Sequence, residues 1–224
     1  MPLQRETVAR AALQLVDEVG LDGLTVRRLA ADLDIQNQSL YWHFANKQEL
    51  LDCMAELMIA DAFAELGHPE QDQDWAEWLA AFARRFRSTM LAHRDGARIL
   101  AEADVSLSDF FVGMELALDV LQHAGFDEST AAAGVITVIH FILGNVFQAQ
   151  ADPSSRVDGE GEKSPHASIP PFDGARFPRI AAFLHSSDML ASVSASAQFE
   201  KGLSLILDGL RANLAQEYSN GTSR

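Results

Sequence analysis

Apolar residues recur every three or four positions along most of this chain of 224 residues. That spacing places side chains on one face of an α-helix, whereas alternation typical of strands is absent, so we predict an all-α fold. The first stripe ends near Gly20 and consists of Val8, Ala12, Leu15, Val16 and Val19. Further helices are expected at about 74–91, 95–103, 107–124, 128–151, 174–186 and 194–215.

Short helices with recognisable caps follow the first stripe. The segment "LTVRRLAADL" predicts a second helix with Thr25 as its N-cap. A third helix is expected from Gln36 to Phe44, and Asn46 caps a fourth, with Glu49 in the position of a capping box. Three short helices followed by a long one are the parts of a helix-turn-helix domain.

The segment from Asp152 to Arg176 interrupts this helical pattern. It holds four of the seven prolines together with several Gly and Ser, a composition typical of a flexible, exposed loop. We therefore expect a small helix-turn-helix, DNA-binding domain over residues 1–48 and a larger helical domain over residues 49–218, which contains the loop at 152–176.

Cysteine content and charge indicate a cytoplasmic protein outside the membrane. The single Cys53 has no partner for an internal disulfide, and the N-terminus has no apolar core of a signal peptide. The uncharged stretch from Ser129 to Ala151 is long enough to span a bilayer. However, His140, Asn145 and Gln148 interrupt it, and acidic residues flank it, so a buried helix is the better interpretation.

The formal charge of −15 argues at first against a nucleic-acid partner. The uneven distribution of this charge along the chain weakens that argument. Residues 1–50 hold five basic and seven acidic residues, a net charge of −2, while the remaining 174 residues carry −13. The acidic part would face away from a polyanion bound at the N-terminal end.

The segment "QNQSLYWHFANK" places four aromatic side chains in an unbroken run. Aromatic residues that share a helix face are three or four positions apart, so a continuous run must turn some members outward. We expect Trp42 to pack with Phe44, while Tyr41 and His43 face DNA and bond its phosphates. The predicted small core consists of Leu29, Leu33, Ile35, Leu40 and Phe44. The alternative is that all four aromatic residues belong to the core and boundary of an ordinary bundle.

Polar residues around this run suit base and phosphate recognition. Amides and hydroxyls match the donor and acceptor patterns of base edges. A lysine in the first turn of a helix adds its charge to free backbone N–H groups that already attract an anion. The predicted DNA contacts are Gln36, Asn37, Gln38, Ser39, Tyr41, His43 and Lys47.

The stretch "GLDGLTVRRLAADLDIQNQSLYWHFANKQELLD" resembles the DNA-binding domain of the TetR family of bacterial repressors, and the similarity covers residues 5–52. The resemblance implies a double-stranded DNA operator and supports the contacts of Tyr41, His43 and Lys47, to which it adds Arg27. Val26, Asn37 and Gln38 depart from the tetracycline repressor subgroup, which implies a different operator sequence.

The resemblance also implies a homodimer in which the last two long helices of each chain form a four-helix bundle. Two apolar stripes fit that arrangement, and we expect both to lie in the dimer interface. The first consists of Val135, Val138, Ile139, Ile142 and Val146. The second consists of Phe199, Leu203, Ile206, Leu210 and Leu214. The alternative is that both stripes belong only to the core of one chain.

The segments "LAHRDGAR" and "HFILGNVF" resemble the ligand-binding domain of the tetracycline repressor subgroup. That domain holds a magnesium–drug chelate through a histidine after "HRDGA", an Arg-Pro pair beyond it and a carboxylate after "HF". Here the corresponding positions carry Leu100, the pair Asp104–Val105 and Gln148, and an earlier amide position carries Phe82. Leu100 has no lone pair for a hard cation and Gln148 is neutral, so we predict neither a metal site nor a cofactor.

The remaining side chains around the expected pocket are mainly apolar. They suit a small, largely apolar effector, polycyclic or weakly basic, which a few hydrogen bonds orient. The candidate effector-binding residues are Phe82, Phe86, Met90, Leu100, Asp104, Phe110, Phe111, Leu116, His140, Asn145, Phe147 and Gln148. The alternative is that several of them simply fill the core and the pocket is small.

Catalytic motifs are incomplete in this chain. The "HRD" at residues 93–95 lacks the following Asn and the Gly-rich loop of a protein kinase. Cys53 lies among apolar neighbours, and the histidines show no metal-binding spacing. We therefore predict a ligand-responsive transcriptional repressor and no enzyme. The alternative is a soluble all-α enzyme, or a small-molecule-binding protein without DNA-binding activity.

Overall fold

The computed structural model describes residues 4–64, 66–67, 69, 73–104, 108–151, 173–185 and 195–221. This part of the chain contains ten α-helices and no strand, so the all-α prediction is confirmed. The helices are α1 (Arg5–Val19), α2 (Val26–Asp32), α3 (Asn37–Tyr41), α4 (Lys47–Phe63), α5 (Trp75–Leu91), α6 (Gly96–Glu102), α7 (Ser108–His123), α8 (Glu128–Ala151), α9 (Pro178–His185) and α10 (Ala195–Gly221). Residues 152–172 of the predicted loop lie outside the described residues.

The first three helices pack around the small core that the sequence predicts. Leu29, Leu40 and Phe44 are buried, and Leu33 and Ile35 are half-buried against them. The third helix is shorter than predicted: α3 ends at Tyr41, whereas the prediction extended it to Phe44. The chain continues as a turn in which the Phe44 N–H still bonds the Leu40 carbonyl at 2.9 Å.

The turn between α2 and α3 depends on one residue with left-handed backbone geometry. Asp34 has a φ of 51°, and its N–H bonds the Ala31 carbonyl at 3.2 Å. The Ile35 N–H bonds the Ala30 carbonyl at 2.9 Å. These two bonds form a Schellman motif, which ends α2 and directs the chain into α3.

Side-chain caps fix the starts of α2 and α4 as predicted. Thr25 Oγ1 accepts a bond from the Arg28 N–H at 3.2 Å, and Asn46 Oδ1 accepts one from the Glu49 N–H at 2.9 Å. The Glu49 carboxylate in turn accepts a bond from the Ala45 N–H at 3.1 Å, one residue before the N-cap. This reciprocal arrangement is close to a capping box and defines where Lys47 begins α4.

Helix α4 connects the N-terminal helices with the rest of the protein. It packs against α1 on one side and against α5, α6 and α7 on the other. The predicted domain boundary after residue 48 falls in its first turn, and this division stays a prediction. Because one continuous helix contacts both parts, a displacement of α4 would reach the DNA-binding end directly.

The larger domain is a bundle in which α8 packs against α5, α7 and α10. The first predicted dimer stripe lies inside it and is fully covered by these helices: Val135, Val138, Ile139, Ile142 and Val146. The prediction that this stripe forms the dimer interface is therefore wrong. In the second stripe Phe199, Leu203 and Leu210 are also buried within the chain, while Ile206 and Leu214 are half-buried.

Helix α8 has the length and the mean hydropathy, 1.8, of a membrane span. Its most apolar face, however, packs on three helices of its own chain. Ile136 and Phe147 are its large exposed apolar side chains, and polar His140 and Gln148 also lie exposed. This distribution is that of a helix buried on one side in a protein core.

Candidate nucleic-acid interface and effector region

Helix α3 presents a continuous polar surface. Gln36, Asn37 and Gln38 are exposed, and Ser39 is half-buried. Leu40, by contrast, is buried and anchors the short helix on the core. The amide groups are thus free to reach base edges, which is the arrangement that direct readout in a major groove requires.

The four aromatic residues of this run are not distributed between core and surface as predicted. Phe44 is buried as expected, at 5% exposure, but Trp42 is 85% exposed and Tyr41 is 56% exposed. The expectation that Trp42 packs in the core is wrong. Leu40 and Phe44 are four residues apart and share the buried side, so residue 42 points the opposite way. This spacing was present in the sequence, and it would have identified Trp42 as a surface residue.

Arg5 connects the start of α1 with the end of the aromatic run. Its guanidinium lies 4.5 Å from the centre of the Phe44 ring and donates a hydrogen bond to the His43 carbonyl. It also lies 3.8 Å from the Glu49 carboxylate. Sequence reasoning missed this residue, because no local pattern connects residue 5 with residues 43–49. Arg5 holds His43, which is half-buried, in its position beside Tyr41.

Two cationic side chains lie near the exposed face. Arg27 is exposed in the first turn of α2, two residues after the N-cap Thr25. Lys47 is exposed at the first residue of α4, and its ammonium donates a bond to the Leu21 carbonyl at 3.2 Å. An ammonium has three N–H donors, so this bond leaves others for an anion.

The predicted effector residues of α5 are buried in an aromatic stack. Phe82 and Phe86 each stack on Phe63, with ring centres 5.4 Å and 6.0 Å away, and Met90 is fully buried. Phe63 itself packs against Gly113, where an added Cβ would lie 2.3 Å from the ring. In this conformation Phe63 covers Phe82 and Phe86, so a ligand that approached these two rings from the side of Phe63 would have to displace it.

An open groove of about 660 Å³ lies next to this stack, between the end of α4 and α7. Phe111 and Leu116, both predicted effector residues, line it, and Phe111 is 51% exposed. Glu115 and Asp119 place carboxylates in the same lining. The side chain of the remaining predicted residue on α7, Phe110, lies outside the described residues.

The other predicted effector residues are not gathered at this groove. Asn145 accepts a bond from the Arg87 guanidinium at 2.7 Å, and desolvation by burial lowers the pKa of that guanidinium. His140, Phe147 and Gln148 lie on the exposed side of α8.

Two predicted effector residues belong to α6 and its end. Leu100 is half-buried on α6, and the exposed Asp104 donates its backbone N–H to the Asp52 carboxylate at 2.8 Å. Within the described residues, no group of three His, Cys, Asp or Glu side chains is placed to hold a metal ion.

An exposed recognition helix after a short turn, joined through one long helix to a larger helical bundle, defines a helix-turn-helix regulator. The profile described as "Bacterial regulatory proteins, tetR family" matches residues 9–54, and the profile described as "Tetracyclin repressor-like, C-terminal domain" matches residues 68–214. The chain belongs to the TetR family. It is a transcriptional repressor with a C-terminal ligand-binding domain and is not an enzyme.

Known proteins match over almost the whole chain. The tetracycline repressor protein class A from transposon 1721 of Escherichia coli is 39% identical over 208 residues, which cover 93% of this chain and 90% of that protein. A TetR variant of Acinetobacter baumannii AYE in complex with minocycline is 32% identical, with a TM-score of 0.70 over 94% of this chain and 97% of that one. ActR of Streptomyces coelicolor in complex with actinorhodin is 29% identical, with a TM-score of 0.76 over 96% and 99%.

Proposed function

We propose that this protein represses transcription by binding a palindromic operator through α3, and that a small, largely apolar effector releases it without a magnesium chelate. The observation that carries the DNA-binding part is the continuous exposed face of Gln36, Asn37, Gln38, Tyr41 and Trp42. Exposed amides and aromatic residues on a short, well-anchored helix have no packing role. We place the protein in the cytoplasm, where its operator lies.

The roles of these side chains follow from their chemistry. The amides of Gln36, Asn37 and Gln38 and the Ser39 hydroxyl read base edges. Tyr41, Trp42 and His43 pack on sugars and donate to phosphate oxygens. Arg27 and Lys47 bring positive charge to the same DNA backbone, and residues 1–50, with a net charge of −2, need it for salt-dependent binding.

A homodimer brings two such faces to one operator. The apolar side chains available for it are on the outer sides of α8 and α10, where Ile136 is 45% exposed and Leu205 is 62% exposed. Within the described residues, and apart from the nearby backbone of the same helix, no atom lies within 4 Å of a Cβ added at Gly144 or Gly209, so helices of a second copy can approach closely there. Two recognition helices about 34 Å apart would then enter successive major grooves.

The proposed effector is a polycyclic, weakly basic or largely apolar compound. The groove beside Phe111 and Leu116 supports this, because its lining is mostly apolar while Glu115 and Asp119 attract a positive charge. The solved relatives in complex with minocycline and with actinorhodin support a small-molecule effector. Effector binding would release the repressor from DNA only if the compound binds the conformation that does not bind DNA more tightly than the one that does.

The test is footprinting of the full-length protein on the DNA upstream of its own gene, followed by fluorescence anisotropy on the protected site. We expect protection of two inverted half-sites about one helical turn apart and a Kd on the order of 10⁻⁸ M or tighter. The matched control is the same fragment with both half-sites scrambled. Equal affinity for the scrambled fragment would contradict operator recognition and leave a small-molecule-binding protein without specific DNA binding.

A further inference from the structure

The α5–α6 turn, residues 92–95, is where the effector domain meets the end of α1. Asp95 is buried there, and its Oδ2 accepts a hydrogen bond from the Leu21 N–H at 2.7 Å. Gly20 permits this approach, because its φ is 75° and an added Cβ would lie only 3.2 Å from that oxygen. Burying a carboxylate is costly unless donors satisfy it, so the bond to Leu21 fixes the turn against the DNA-binding domain.

Three further residues, in the α5–α6 turn and in α6, hold the same junction. His93 Nδ1 lies 3.0 Å from the Asp17 carboxylate, and the Arg94 N–H donates to that carboxylate at 2.9 Å. Arg98 donates to both Asp22 carboxylate oxygens, at 3.0 Å and 3.2 Å. The hydrogen bond from Arg98 lowers the pKa of the Asp22 carboxyl. The orientation of the DNA-binding domain therefore depends on the position of the α5–α6 turn.

Gln150, in the last turn of α8, sets the position of that turn. Its Nε2 donates to the Met90 carbonyl at 3.1 Å and to the His93 carbonyl at 2.8 Å. Its Oε1 accepts from the Ala97 N–H at 3.1 Å. Both N–H donors and the oxygen of this amide are thus used on the backbone around the turn, which no other residue type of this size can do.

The path of hydrogen bonds continues to the nucleic-acid interface. Asp95 holds the Leu21 N–H, and the Leu21 carbonyl accepts the bond from the Lys47 ammonium at 3.2 Å. Lys47 is the first residue of α4 and is one of the proposed phosphate contacts. A chain of contacts thus connects the end of α8 with the DNA-binding face, through the α5–α6 turn and residue 21.

We propose that Gln150 is a positioning residue for operator binding, which fixes the orientation of the DNA-binding domain through the α5–α6 turn and Asp95 and does not itself touch DNA. The proposal rests on the proposed function. A dimer on a palindrome needs both recognition helices at one separation, so a loosened junction weakens binding to two half-sites. A single half-site needs only one domain, so its affinity does not depend on that separation.

The first test requires no DNA. Hydrogen exchange is measured in full-length Gln150→Ala and Gln150→Glu, where the glutamate keeps the size of the side chain but cannot donate to the two carbonyls. We expect the Leu21 N–H, which does not touch residue 150, to exchange about tenfold faster in both variants, the size of about one lost hydrogen bond. Exchange of the α1 core amide Val16 should stay unchanged. Gln122→Ala, an exposed glutamine on α7, is the control.

The second test compares the complete palindrome with a single half-site. Both Gln150 variants should lose about tenfold in affinity for the palindrome and nothing for the half-site, while Gln122→Ala changes neither. Equal losses on both DNAs, or unchanged Leu21 exchange, would overturn the proposal. Failure of both variants to fold would also overturn it, because Gln150 would then serve general stability. If the unaltered protein bound no palindrome, the proposed function would fail, and Leu21 exchange would still decide the positioning role of Gln150.

Discussion

In the DNA-binding domain the candidate contacts come from one continuous segment, residues 36–47, supported by Arg27 on the neighbouring helix. In the effector domain the candidate residues extend from Phe82 to Gln148 and belong to α5, α6, α7 and α8 or to the chain next to them. The first set is mostly exposed around one buried anchor, whereas the second is divided among a filled core, an open groove and an outer helix face. A site on one short helix is determined by local spacing, while a site between helices depends on how the helices pack.

The largest expected effect separates the two faces of α8. Val138 is fully buried and Ile136, two residues before it, is 45% exposed. Val138→Asp places an unpaired charge in the core and should cost more than about 4 kcal/mol, which removes most of the stability of an ordinary domain. Ile136→Asp combined with Leu205→Asp should give folded monomers that no longer bind a palindrome. Thermal unfolding by circular dichroism and sedimentation velocity measure both outcomes.

Either of two results would contradict this assignment of the faces. One is a Val138→Asp protein that unfolds at the temperature of the unaltered chain. The other is a double variant at residues 136 and 205 that still sediments as a dimer. Val135→Asp and Thr137→Asp repeat the comparison on α8, because Val135 is buried and Thr137 is exposed.

The two faces of α8 also show which features of this helix could be predicted from the sequence. The bounds of α8 are the same in sequence and structure, because a long apolar stretch between acidic residues has clear ends. Which side of α8 faces its own core was predicted wrongly. Apolar residues such as Ile136, Val138 and Phe147 occur on several sides of the helix, so periodicity alone cannot orient it. The packing of α5, α7 and α10 decides the orientation, and those contacts are tertiary.

The N-terminal domain was predicted more completely, since its signals are local. The Thr25 and Asn46 caps and the buried Leu40 and Phe44 all follow from short-range spacing, and the structure confirms them. The one side chain of this domain whose burial was predicted wrongly is that of Trp42, which is exposed. The contact of Arg5 with residue 43 and the bonds of Gln150 to the α5–α6 turn could not be predicted, because each connects residues at least 38 positions apart in sequence.

The next prediction distinguishes base recognition from phosphate contact within the interface. Asn37→Ala or Gln38→Ala should cost about 1–3 kcal/mol on the best operator and relax preference at one or two base pairs. Lys47→Ala should weaken binding to every sequence and reduce the dependence of affinity on salt concentration. Anisotropy titrations on operator variants at several salt concentrations measure both. An unchanged salt dependence would mean that the Lys47 ammonium serves the Leu21 carbonyl and not a phosphate.

A smaller effect tests the turn that directs α3. Asp34 has a φ of 51°, where a side chain with a Cβ is strained unless it bonds locally. Asp34→Ala and Asp34→Gly remove the same carboxylate, so their difference isolates the backbone. We expect the glycine variant to be more stable than the alanine variant by about 1 kcal/mol in urea unfolding. An alanine variant of equal or greater stability would contradict the left-handed assignment of this residue.

The smallest expected effect concerns the effector domain and the tetracycline repressors that this chain resembles. Leu100 is half-buried on α6 and Gln148 is exposed on α8, and neither side chain offers a charged oxygen or an imidazole to a divalent cation. We therefore expect calorimetry with tetracycline to give the same, weak heat with and without Mg²⁺. A matched variant, Leu100→His combined with Gln148→Glu, restores both ligand types and tests whether these positions alone account for the difference. Micromolar binding of tetracycline to the unaltered protein that disappears on adding a chelator would show that another group of residues holds the metal, and the proposed effector class would be wrong.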